Sequence, residues 1–176
     1  MTLMLDLPMQ NAYWVLEGKF MAGETPGTSD ELNTRARVKG LLRNGVKTWI
    51  DLTKVTDFGH DYEAILMEEA ADYGLDVSRI NYPITDFSNP SPVLMTRILD
   101  RIDSEIVKGK CIYVHCYAGI GRTGTVVGCY LVRHGLGGDE AITKIAQLRE
   151  NVANWWHKSP ETTEQAEFIR NWKVGQ

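Results

Sequence analysis

Four short runs carry the apolar, β-branched and aromatic bulk of the chain between turn residues: KFMAG (19–23), KTWIDLT (47–53), RINYPI (79–84) and KCIYVHC (110–116). Such runs predict strands. Between and after them, apolar positions recur at helical spacing. SDELNTRARVKGLLRNG (29–45) opens on a Ser/Asp cap and closes on Gly45. Residues 61–74 place Ile65, Leu66, Glu69 and Ala70 at helical spacing, and 92–109 repeats Leu94, Ile98, Ile102 and Ile106 every fourth residue. Three more helices are expected over 122–134, 139–151 and roughly 161–172. The first is apolar nearly all round, so it belongs in a core. Strands alternating with helices predict an α/β fold with a central, mostly parallel sheet flanked by helices, in which ligands bind where strand-to-helix loops converge.

Composition narrows the functional classes. The 176 residues are 43% hydrophobic and 24% charged, which fits one soluble globular domain over 1–176. MTLMLDLPMQ at the start holds no Lys or Arg, so no secretory signal is expected, and no apolar run reaches a membrane span. The three cysteines, Cys111, Cys116 and Cys129, have no metal-ligand spacing and suit a reducing, cytoplasmic compartment. A net charge of −4 without any Lys/Arg cluster argues against a general nucleic-acid binder. An anion site in this chain must therefore be local.

IYVHCYAGIGRTGTVV (112–127) has the makings of one. Cys116 ends an apolar run, Ala118, Gly119 and Gly121 follow, and Arg122 opens the apolar helix. Small residues let successive backbone amides turn inward as a nest, and the helix adds its free amides and positive dipole end. A thiolate is the form such a nest stabilises at Cys116. Arg122 can grip two phosphate oxygens with its planar fork. The bland alternative is a tight turn with a packed cysteine.

HCYAGIGRTG (115–124) resembles the signature loop of the cysteine-dependent protein tyrosine phosphatases, and the short chain resembles their dual-specificity branch. That resemblance implies a protein-tyrosine-phosphatase-like fold and a metal-independent reaction with no cofactor. Cys116 would attack phosphorus to form a cysteinyl-phosphate. The backbone of Tyr117, Ala118, Gly119, Ile120 and Gly121, with Arg122, would hold the phosphoryl group. Thr123 resembles the loop hydroxyl that helps the thiolate depart, and His115 the residue that braces the loop. Gln165 resembles a glutamine that positions the hydrolytic water, although on a helix it could equally face solvent. YWVLEGKFMAGETPG, near the N-terminus, is similar to the opening strands of microbial members.

Expelling an alkoxide or phenoxide needs a proton donor. Asp86, in YPITDFSNPSP, follows a predicted strand and would lie beside the Cys116 loop if the two strands are neighbours. The family carries its acid about thirty residues before the cysteine, and Asp86 precedes Cys116 by 30 (116 − 86). Ile84-Thr85-Asp86 replaces the Trp-Pro-Asp of longer tyrosine phosphatases, so Asp86 could instead cap a turn. Asp57 and Asp61 are alternatives, each more naturally a cap or solvated charge.

The expected partner is a phosphorylated protein or peptide, with no nucleic acid or membrane involved and the oligomeric state open. Tyr117 and Ile120 are expected to line the rim. The loop lacks the lysines of inositol-lipid phosphatases, and the chain lacks the Asn-Arg-Tyr motif that deepens a phosphotyrosine pocket. A shallow pocket open to phosphoserine and phosphothreonine follows. The alternatives are a phosphatase for phosphoinositides or other non-protein phosphates, a rhodanese-type sulfur transferase, or a pseudophosphatase that captures phosphoproteins without turnover. Cys111 and Cys129 either guard Cys116 by disulfide formation or are inert core. Trp155-Trp156-His157 either contacts a partner or packs the final helices.

Overall fold

A computed structural model describes residues 7–176; most of the leader segment inspected for a secretory signal lies outside them. Five strands form one sheet in the order β1-β2-β5-β3-β4, from β1 (Ala12–Leu16), β2 (Phe20–Gly23), β3 (Val46–Asp51), β4 (Ser78–Asn81) and β5 (Cys111–His115). β1 and β2 form an antiparallel hairpin, turned at Gly18 with φ 71°. Every other pairing is parallel. The four strands read from the sequence are present. β1, whose alternation is blurred by Trp14 and a register shift before Leu16, was visible only through resemblance.

The alternation of side chains along β5 divides the core in two. Ile112 and Val114 face one cluster, built with α3 (Pro92–Val107), α4 (Gly121–Arg133), α5 (Gly138–Leu148) and α6 (Thr163–Asn171). Cys111 and Tyr113 face the other, under α1 (Glu31–Arg43) and α2 (Glu63–Asp72). α4 is enclosed nearly all round, as its apolar circumference predicts. Asp30 caps α1 and Ser91 caps α3, each side chain accepting from an amide of the first turn. Among the described residues no helix is long and apolar enough to cross a membrane.

β5 lies in the middle of the sheet, so the loop after it is surrounded by the loops that follow β2, β3 and β4. One expectation needs correction. β4 does not neighbour β5, because β3 lies between them. The Asp86 segment reaches the centre by continuing the ladder beyond the strands: Leu52 N donates to His115 O at 2.9 Å, Tyr82 N to Asp51 O at 2.8 Å and Ile84 N to Leu52 O at 3.0 Å.

Candidate active site

Residues 116–122 leave β5 and enter α4 as a loop whose carbonyls are held from outside. His115 Nδ1 meets Cys116 O at 3.1 Å, Thr25 N donates to Tyr117 O at 3.0 Å, and Asn154 Nδ2 donates to Ala118 O at 3.3 Å. Ser159 Oγ donates to Ile120 O at 2.7 Å. The amides of 117–123 have no acceptor among the described residues. A row of unpaired N–H groups running into a 13-residue helix is the sequence-predicted nest, with the positive end of the helix behind it. Gly119 makes the tightest turn: its φ is 73°, and a Cβ there would lie 2.4 Å from Gly23 C. Only glycine fits where the loop crosses the end of β2.

Cys116 is buried at the base of this loop. Arg122, only 2% exposed, turns back across it. Its Nη1 donates to Asp57 Oδ2 at 2.5 Å and to Ile84 O at 3.1 Å, and its Nη2 lies 3.2 Å from Asp86 Oδ1. Its Nε is buried without a partner among the described residues, as is Thr123 Oγ1. Burial works against the guanidinium's charge, but the Asp57 carboxylate, Cys116 and Asp86 outweigh it and raise its pKa. Unpaired buried donors are costly, and here they cluster with the free amides.

His115 is fully buried, and burial pushes its pKa down. A neutral ring facing Cys116 O must carry its proton on Nδ1, since a carbonyl only accepts. Nε2 is then an acceptor for the Tyr62 hydroxyl at 2.7 Å. Asp51 lies 4.0 Å from Nε2 and is tied to Arg79 at 2.7 Å, and the Arg79 guanidinium stacks 4.5 Å from the Tyr62 ring centroid. His115 thus reaches the first carbonyl of the loop, with a support of Tyr62, Asp51 and Arg79 that spacing alone did not signal.

Asp86 is half-exposed and its Oδ1 accepts from Phe87 N at 3.0 Å. Phe87 holds φ 59°, the one positive value on a non-glycine among the described residues. The segment is tied down on both sides. Lys54 Nζ donates to Thr85 Oγ1 at 2.8 Å, Asn89 Nδ2 to Glu164 O at 3.1 Å and Gln165 Nε2 to Ser88 O at 3.3 Å. Gln165 does not face solvent: it is fully buried, and its Oε1 accepts from Glu161 N and Thr162 N, each at 3.1 Å. A Cβ on Gly121 would lie 3.1 Å from its Nε2, so it sits against the loop.

Several other expectations change. Asp57 is neither a solvated charge nor a simple cap, because burial brings it onto Arg122; its carboxylate also accepts from Lys54 N at 3.1 Å. Asp61 keeps to its expectation: exposed, it accepts from Glu63 N at 3.2 Å at the start of α2 and pairs with Arg79 at 2.6 Å. Ile120 is buried, so only Tyr117, half-exposed, stands at the rim. Trp155 and Trp156 do not pack the final helices but are 63% and 66% exposed. Cys111 opens β5 and Cys116 follows its last residue, a span of about 16 Å at 3.3 Å per residue, and Cys111 faces the other core. Their Cα atoms are too far apart for a disulfide. Cys129 lies in the middle of α4, eight residues on from its first residue (129 − 121), which is about 12 Å of helix. Burial raises both thiols, that of Cys111 to about 11, as inert core cysteines require.

Two clefts of about 370 and 650 Å³ open on either side of the 54–61 segment and share Thr25, Asp57, Gly59, His60 and Tyr117.

Comparison with known proteins places this geometry. The family model "Polymorphic toxin system, DSP-PTPase phosphatase" matches residues 24–136. A mouse protein, dual specificity protein phosphatase CDC14B, is 32% identical over 129 residues; the match covers 69% of this chain but 24% of the relative, so the chain spans about a quarter of that relative's length. Among solved structures, Tk-PTP in its active form superposes with a TM-score of 0.68 at 22% identity, covering 93% of this chain and 96% of that one. PTPMT1 in complex with PI(5)P gives 0.68 at 20% identity, covering 92% and 93%. These two likenesses concern the fold. With the family match spanning the 116–122 loop, the Asp86 segment and strands β3, β4 and β5, the chain belongs to the DSP-PTPase family of cysteine-dependent phosphatases.

Proposed function

We propose that this chain hydrolyses phosphate monoesters on proteins through a cysteinyl-phosphate formed at Cys116. The observation that carries the proposal is the unpaired set of donors around that sulfur: the amides of 117–123, Arg122 Nε and Thr123 Oγ1. They match a phosphoryl group's oxygens and the charge that develops on them in transfer. The Cys116 thiolate attacks phosphorus; the bond to the leaving oxygen breaks, and that oxygen takes the Asp86 proton. The Asp86 carboxylate then accepts a proton from water as the water attacks phosphorus. The S–P bond breaks, releasing phosphate, and the Thr123 hydroxyl hydrogen-bonds the departing sulfur. Gln165 links the Asp86 segment to the phosphate loop, and His115 fixes the loop's first carbonyl. One sheet and its helices support the whole site, in keeping with a single catalytic domain.

Protein substrates fit better than inositol polyphosphates. The clefts beside Tyr117 leave room for residues flanking a phosphorylated side chain. Of the cations there, Arg79 is already neutralised by Asp51, Asp61 and Glu63. Likeness to a dual specificity protein phosphatase points the same way, whereas PTPMT1, solved in complex with PI(5)P, points to a lipid ligand.

The test is release of p-nitrophenol from p-nitrophenyl phosphate with EDTA present, by wild type and Cys116→Ser. Turnover that survives chelation and vanishes in the variant is expected, with a bell-shaped kcat/KM, because thiolate and protonated carboxyl must coexist. A rate still rising through pH 9, or turnover by the variant, would overturn the mechanism. Phosphotyrosine and phosphoserine peptides, compared with phosphoinositide vesicles, then decide the substrate class; faster hydrolysis of the vesicles would exclude a protein phosphatase.

A further inference from the structure

The segment between α5 and α6 carries two adjacent tryptophans, and tryptophan is on average a well-buried side chain. Trp155 and Trp156 are instead largely exposed. Their backbone is firmly held. Asn154 N donates to Asn11 Oδ1 at 2.9 Å, its Oδ1 accepts from Arg149 Nη2 at 2.7 Å, and its Nδ2 donates to Ala118 O at 3.3 Å. Trp155 N donates to Val152 O at 3.1 Å, His157 N to Asn154 O at 3.0 Å, and Arg149 Nη1 to His157 O at 2.8 Å. The Trp156 ring stacks on that of His157, with centroids 3.8 Å apart. A backbone pinned on both sides of two outward rings is a preorganised apolar surface, which loses little freedom when it is covered.

The place of this surface identifies its occupant. Asn154 and Ala118 line the cleft of about 650 Å³, together with Tyr117 and with Phe58 of the 54–61 segment, whose side chain is 93% exposed. Asn11 and Thr28 add polar side chains to the same cleft. A concave site with polar groups for a main chain, flanked by apolar side chains from two separate loops, suits an extended polypeptide. An anionic membrane surface calls for free Lys and Arg beside the aromatic rings. Here the chain carries a net charge of −4, and Arg37, which lines the cleft, is tied to Glu24 at 3.6 Å. Tyr117 follows Cys116 directly, so a polypeptide in this cleft brings its residues beside that sulfur.

Resting on the phosphatase function proposed above, we propose that Phe58 and the Trp155–Trp156 pair are the two apolar walls of a docking surface for the substrate polypeptide. They select phosphorylated segments that carry aromatic or aliphatic residues beside the phosphorylated one. The 116–122 loop holds the phosphoryl group, and the walls hold its neighbours. A small aryl phosphate engages the loop alone, so the two contributions separate in the kinetics.

The experiment measures kcat/KM for two phosphopeptides of equal length and net charge, each in phosphotyrosine and phosphoserine form. One has Phe, Leu and Trp on both sides of the phosphorylated residue, the other Ser, Gly and Asn. Each rate is read as a ratio to p-nitrophenyl phosphate hydrolysis by the same protein. Wild type should prefer the apolar peptide by about 10- to 100-fold, the scale of aromatic anchors at an interface. Trp155→Ala/Trp156→Ala and Phe58→Ala should each cut that preference by at least about fivefold. Equal rates for the two peptides with wild type, or an undiminished preference in either variant, would overturn the docking surface. If the peptides are hydrolysed alike and wild type, but not the tryptophan variant, sediments with phosphatidylcholine–phosphatidylserine vesicles, the rings serve a membrane and the proposal fails. Should the double variant not fold, Phe58→Ala decides alone. If wild type hydrolyses neither p-nitrophenyl phosphate nor any peptide, the phosphatase function fails, and fluorescence anisotropy of the labelled peptides still decides the surface. Tighter binding of the apolar peptide that is lost in the variants upholds it, and equal binding of the two peptides overturns it.

Discussion

At the scale of single residues, the site depends on groups whose partners are remote in sequence. Asp57 meets Arg122 across 65 positions, and Asn154 meets Ala118 across 36. Arg149 is 2% exposed and has no carboxylate partner among the described residues; it donates to His157 O at 2.8 Å and to Asn154 Oδ1 at 2.7 Å, which holds the 154–157 segment against the 116–122 loop. No spacing rule finds such contacts. Cys116, Arg122, His115 and Thr123 could be put forward together from the sequence because they fall within one loop and one helix turn. The Gln165 side chain was ambiguous because a helix face says nothing of what packs on it.

His115 supplies the pH dependence that belongs to this scale. Burial lowers its folded pKa below the ordinary 6.5, so in acid the unfolded chain takes up the proton first. The stability that depends on a neutral His115 is complete above about pH 6.5 and declines as the pH falls below it. Thermal melts of wild type and His115→Asn should therefore differ most near pH 7.5 and converge toward pH 5. A gap that widened in acid would mean that the buried ring is charged in the folded state.

At the scale of elements, close approach of α4 and α6 decides where Gln165 can sit. Gly121, Gly124 and Gly128 are spaced three and four apart, on one helix face. A Cβ on Gly128 would lie 2.3 Å from Ile169 Cδ1, and one on Gly124 would lie 2.2 Å from Ser159 Oγ. The run GRTGTVVG is thus both part of the candidate anion site and a flat surface for α6 and the 159–160 segment. Gly128→Ala must displace the buried Ile169 side chain, and α6 with it where that side chain has no other room, at about 1–3 kcal/mol, disturbing the Gln165 link to Ser88. Denaturant melts should show that loss, accompanied by slower turnover at unchanged KM. A variant as stable and active as wild type would mean that α6 does not set the site. Helix positions were legible from periodicity, and this contact was not, because a glycine in a helix announces a close neighbour without naming it.

For the whole molecule, sheet order is what gathers the parts. β5 is central, so its loop receives Thr25 from beyond β2, Leu52 and Asp57 from beyond β3, and Ile84 and Asp86 from beyond β4. Alternating strands and helices announced a parallel sheet with a site at its carboxyl edge. They carried no information on which strands adjoin, and Asp86 arrives by a ladder that runs past β3 and not by direct neighbourhood. The exposed side chains of Val55, Phe58, Phe87, Tyr117, Trp155 and Trp156 belong to loops near this edge, a feature that hydrophobic patterning assigns to a core.

The most direct test of the central claim is acid-quench mass spectrometry of the protein during turnover of p-nitrophenyl phosphate. A phosphoryl adduct confined to the peptide bearing Cys116, absent from Cys116→Ser and accumulating in Asp86→Asn to the extent that the second step is slowed, is the predicted result. Full turnover with no adduct on Cys116 at any quench time, or an adduct on another residue, would contradict it.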